Sequence, residues 1–175
     1  MQIIYYTPTE RMKNGITIRV KAGVVVGTLD ILAAFLHYFI STGETRVSNV
    51  LKFIASGIFG NQAFAQGNTM VVAGLFFHYL IAFAFTLFFF WVYPKINLFS
   101  KSTILTGILY GIFIWLVMNL VVVPLSNTPS QPFTLLNTLI NALILIACMG
   151  IPLSLMAHSF YKKGNQSTPK LTSNK

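Results

Sequence analysis

Four apolar runs decide most of what this chain can become. They cover residues 20–40, 70–93, 104–123 and 133–157, and each is long enough to cross a bilayer core about 30 Å thick as a helix rising 1.5 Å per residue. In lipid the backbone must satisfy its own hydrogen bonds, so helix is the expected form. The period-two alternation of a membrane barrel strand is absent. Only 9% of the residues are charged and 55% are hydrophobic, too few charges to cover a water-facing surface. Mean hydropathy is +0.71. The fold expected is therefore all-α, an integral membrane four-helix bundle.

The segments between the runs complete the plan. Residues 1–19 form a basic segment, 20–161 the four-helix domain, and 162–175 a polar, basic tail that reads as disordered. A cleaved signal peptide is the rival reading of the first run, because Ala63-Phe64-Ala65 has the shape of a cleavage site. That site lies more than 20 residues beyond the run, and the run exceeds the 7–15 apolar residues such peptides use. Between the first two runs, Val50, Leu51, Phe53, Ile54, Ile58 and Phe59 recur at helical spacing behind Ser48 and Asn49. This predicts a short interfacial or re-entrant helix in the first outer loop, capped by Ser48 or Asn49 and ended and hinged by Gly57, Gly60 and Gly67.

The net charge of +9 arises from twelve Lys and Arg against Glu10, Asp30 and Glu44. Basic residues flank the apolar runs rather than lining a polar helix, which argues against nucleic acid as a partner. Counting Lys and Arg on alternate sides places ten with the two ends and the 94–103 loop, and only Arg46 and Lys52 opposite. The positive-inside rule then puts both termini in the cytoplasm.

Every run carries small and polar residues at helical spacing. Gly23, Gly27, Asp30, Ala34 and His37 share one face of the first, with Gly74 and His78 on the second. Gly107, Gly111, Trp115 and Asn119 follow at fourfold spacing on the third, and Asn137, Asn141, Cys148 and Pro152 on the fourth. Gly23, Gly27, Gly74, Gly107 and Gly111 are expected to let helix backbones approach closely. Asp30, His37, His78, Trp115, Asn119, Asn137 and Asn141 are expected to form a polar bundle interior for binding or relay. Asp30 stands out, because an aspartate at a helix centre costs about 3 kcal/mol on insertion scales and needs a polar partner, foremost His78 or an asparagine.

No catalytic motif is present: no P-loop, HExxH or GxSxG, and only one intramembrane acid. A metal shared by Asp30 and His37 is disfavoured by their separation of about 10 Å along one helix. Lone Cys148 builds neither a disulfide nor a Cys-rich zinc site. No cofactor is expected, haem between His37 and His78 being the exception considered. The function expected is non-enzymatic: binding or passing a small solute or ion, as a homo-oligomer or with a membrane partner subunit. A structural or assembly role in a membrane complex is the alternative, and a haem-binding redox protein the third reading.

The stretch from Gly23 to Asp30, Gly74-Leu-Phe-Phe-His78, Gly107-Ile-Leu-Tyr110-Gly111 and Val122-Val-Pro124 resemble a group of small bacterial inner-membrane proteins of unassigned function, the YagU type. The resemblance covers about residues 20–157. It implies a four-helix core in a bacterial cytoplasmic membrane and carries no substrate or catalytic residue with it.

Overall fold

The structure, a computed structural model, describes residues 8–95, 102–129 and 134–166. These form helices and connecting turns, with no strand among the described residues. Four helical stretches are long and apolar enough to cross a membrane: Gly15–Thr42, Asn68–Lys95, Thr103–Leu125 and Leu135–Lys162. We call them the first to fourth spans. The first lies within α1, Pro8–Thr42. It is followed by α2, Ser48–Phe59, and a single turn α3, Gln62–Ala65. The second span is α4, Asn68–Val92, ending in a 3₁₀ turn at Tyr93–Lys95. The third is α5, Thr103–Val117, continued by a π turn at Met118–Val122. The fourth is α6, Leu135–Leu145, a π turn at Ile146–Gly150, and α7, Ile151–Gln166.

Helix extends beyond the apolar runs at both ends. α1 begins at Pro8, inside the segment expected as a separate polar leader, and α7 continues to Gln166, into the segment expected to be disordered. Once a helix is nucleated, each further residue adds a hydrogen bond at little cost, so polar residues without a breaker are carried along. The remainder of that tail, and Phe133, lie outside the described residues.

Close backbone approach organises the bundle. α1 packs on α4: a Cβ on Gly23 would lie 2.5 Å from the Phe83 ring, and one on Gly27 would lie 3.0 Å from Tyr79. α5 crosses the fourth span even more tightly, where a Cβ on Gly111 would meet the Ile146 backbone at 2.5 Å. One on Gly107 would meet the Ile151 backbone at 2.7 Å, and one on Gly150 would collide with the Gly107 carbonyl. Between helices in lipid, such contacts act through dispersion and shape rather than through expulsion of water. Val26, Phe89, Phe90, Ile114 and Leu153 fill the centre and are almost wholly buried. Tyrosine hydroxyls stitch the spans together: Tyr110 donates to the Phe85 carbonyl at 2.6 Å and Tyr161 to the Phe90 carbonyl at 2.8 Å. Ser154 donates to the Thr103 carbonyl at 2.7 Å.

The short helix α2 runs antiparallel to α4 as the other arm of a hairpin. Leu51 stacks its backbone on Gly74, while Ala55 joins Met70 and Ala63 in a small core. Neither Ser48 nor Asn49 caps it. Val47 holds the cap position without a side-chain bond. Asn49 instead donates to the Tyr38 hydroxyl at 3.0 Å, tying α2 back to α1. α2 ends at Gly60, whose φ of 59° is open to glycine at little cost. There the loop after the third span clamps it: the Asn127 amide donates to the Gly57 carbonyl at 2.9 Å and its side chain to the Ile58 carbonyl at 3.1 Å.

Candidate functional site

The polar residues expected inside the bundle divide into two sets. His78 on α4 is buried, and its Nε2 lies 2.7 Å from the Gly27 carbonyl oxygen on α1. A carbonyl only accepts, so Nε2 carries the hydrogen and Nδ1 is the ring atom left to take a proton. Asp30, one turn after Gly27, is partly buried and interacts electrostatically with His78. Its expected hydrogen bond to His78 or to an asparagine is not made among the described residues. The glycine contact between α1 and α4 brings the imidazole against the helix backbone, and that backbone takes its Nε2 proton.

Cys148 is a further ionisable group on a neighbouring span. It lies in the π turn of the fourth span, partly buried, and interacts electrostatically with Asp30. The imidazole of His78 thus sits against the Gly27 carbonyl, with Asp30 and Cys148 within electrostatic range on the first and fourth spans. Among the described residues no three such groups are close enough to hold a metal. Sequence reasoning placed Cys148 on a stripe but not beside Asp30. A π turn, which local spacing does not reveal, is a feature often found at functional positions. Tyr79 flanks the junction, its hydroxyl 2.8 Å from that of Thr28.

The other expected members stand elsewhere. His37 and Trp115 are partly buried, and the His37 Nε2 and Trp115 Nε1 are enclosed without a hydrogen-bond partner among the described residues. Asn119, Asn137 and Asn141 are exposed, which corrects the expectation that they face inward. Residues four apart on a helix drift by about 40° per step, so the line from Gly107 through Gly111 and Trp115 has turned well away from its start by Asn119. Asn119 spends one amide hydrogen on its own helix, at the Trp115 carbonyl 2.8 Å away. On the fourth span, Gly150 must face Gly107, and Asn141, nine residues earlier, is carried far round the helix from that contact.

No family model, curated protein or solved structure matches this chain. What the structure offers is four candidate membrane-spanning helices and the His78–Gly27 contact, with Asp30 within electrostatic range of His78.

Proposed function

We propose that this is a non-enzymatic, multi-pass protein of a bacterial cytoplasmic membrane, with both ends inside, in which Asp30 and His78 bind and pass a proton or small cation within the bundle. The observation that carries the reading is an acid in the middle of a span beside a histidine whose tautomer is set by the Gly27 carbonyl. With Nε2 committed, a proton arriving on Nδ1 makes an imidazolium next to the Asp30 carboxylate. Transfer of that proton from Nδ1 to the Asp30 carboxylate leaves a neutral acid and a neutral ring, so while the pair holds the proton it carries no isolated charge in apolar surroundings.

A membrane setting is supported by the surface, where Val72, Leu120, Ile40 and Leu125 are 68%, 67%, 71% and 83% exposed. A chain in water rarely leaves so much large apolar surface uncovered. The resemblance to the YagU type supports the bacterial inner membrane, and the Lys and Arg bias supports the orientation. Alkaline phosphatase fused after Asn127 is expected to be active, and after Lys163 inactive. The reverse pattern rejects this topology. For the relay, protein in liposomes is driven with a potassium diffusion potential while an internal dye reports pH. Proton entry above that of empty liposomes is expected, and its loss in Asp30→Asn. Wild-type flux no greater than that of empty liposomes sinks the relay.

A second reading, an assembly subunit or homo-oligomer, is favoured by the outward Asn119, Asn137 and Asn141 on otherwise apolar faces. Amides facing lipid are costly, and a neighbouring helix would satisfy them. Haem ligation by His37 and His78 is a third reading, and it requires His78 Nε2 to leave the Gly27 carbonyl or Nδ1 to bind the iron. An absorption spectrum of protein purified with haem supplied decides it, and absence of a Soret band removes it.

A further inference from the structure

Arg19 lies near the start of the first span, on the same face as Gly15 and Gly23. Gly15 faces the Phe160 ring of α7 and Gly23 the Phe83 ring of α4, so Arg19 stands between those contacts, where three helices converge. Its side chain is partly buried, and its Nε is enclosed without a hydrogen-bond partner among the described residues. No carboxylate serves it among the described side chains: Asp30 is eleven residues further along α1, about 16 Å, and Glu44 lies beyond the far end of the same helix. A guanidinium with an enclosed donor and no counter-ion among the described residues is suited to an anion that presents oxygen atoms to it, and phosphate matches that fork.

The surroundings indicate where such an anion would come from. Ile16 and Val20, on either side of Arg19, are 59% and 50% exposed, so the guanidinium is flanked by surface suited to acyl chains. Arginine near a helix end characteristically reaches along its stem to the headgroup level. Lys95 at the same end of the second span sits with its Nζ 3.5 Å over the Trp91 ring, an arrangement typical of an interface. We infer that the Arg19 guanidinium binds the headgroup phosphate of an anionic lipid in the cytoplasmic leaflet. The inference rests on the proposed membrane insertion and orientation, and is independent of the Asp30 relay.

The test uses full-length protein extracted from the membrane fraction in detergent, so that insertion is established before lipid binding is measured. Delipidated protein is offered phosphatidylglycerol and phosphatidylcholine in equal amounts, and the retained lipid is counted by native mass spectrometry. Wild-type protein is expected to keep phosphatidylglycerol, Arg19→Gln to lose it, and Arg46→Gln, on the opposite side, to keep it. Equal retention of both lipids by the wild type, or undiminished phosphatidylglycerol on Arg19→Gln, overturns the proposal. Melting of wild-type protein alone covers the case in which Arg19→Gln does not fold: phosphatidylglycerol should raise Tm where phosphatidylcholine does not. An equal rise with inorganic phosphate overturns the lipid assignment in favour of a free anion.

Discussion

The Nε2 of His78 donates to the carbonyl oxygen of Gly27 across 2.7 Å, joining the second span to the first beside the packing of Gly27 on Tyr79. This carbonyl is within α1, so the bond is an addition to the helix's own ladder. His78→Ala therefore leaves no orphaned backbone group but removes a buried ring and a charge-capable donor. A loss of about 2 kcal/mol is expected, read as a lower Tm in detergent. His78→Gln, whose amide also donates, should recover part of it.

Asp30→Asn separates the relay from a structural clasp. Asparagine is close in shape and carries no charge, and Asp30 makes no side-chain hydrogen bond among the described residues. Stability should stay within about 1 kcal/mol of wild type while proton flux in liposomes disappears. A large fall in Tm with flux retained assigns Asp30 to holding the bundle instead.

Gly150→Ala should damage the crossing of the third and fourth spans, because the added methyl would meet the Gly107 carbonyl. Backbone cannot move aside as a flexible side chain does, so about 3 kcal/mol or more is expected, with loss of folded protein in a detergent melt. Gly15→Ala is the control. Its methyl would meet the Phe160 ring at 3.8 Å, an ordinary contact, and should be tolerated.

Asn127 offers a local readout. Asn127→Ala removes the side-chain bond to Ile58 and leaves the backbone bond to Gly57 in place. A cost of about 1 kcal/mol is expected, concentrated at the end of α2. Hydrogen exchange should accelerate around residues 57–60 and remain unchanged at Gly107–Gly111.

Asn141→Leu addresses the assembly reading. An interhelical amide bond in lipid is worth about 1 kcal/mol, so the substitution should raise the monomer fraction seen by cross-linking in native membranes. An unchanged distribution means that Asn141 contributes nothing to association, and the assembly reading then loses one of its three outward amides.

The sequence alone determined four long helices and an additional short one before the second. Runs of that length and apolarity, placed in a bilayer, would have no other way to satisfy the backbone, and the helical recurrence from Val50 to Phe59 marks α2. The face shared by Gly23, Gly27 and Asp30 was also legible, since steps of four and three stay in line on a helix. The rotation of each helix was not legible. It is set where a glycine admits the neighbouring helix, Gly107 against the Gly150 backbone and Gly27 against the Tyr79 ring, and those contacts join residues far apart in the chain. That is why Asn119, Asn137 and Asn141 turned outward, why Cys148 came within electrostatic range of Asp30, and why Asn127 rather than Ser48 or Asn49 secures an end of α2. Spacing along one helix reports which residues share a face, but only packing between helices decides which way that face points.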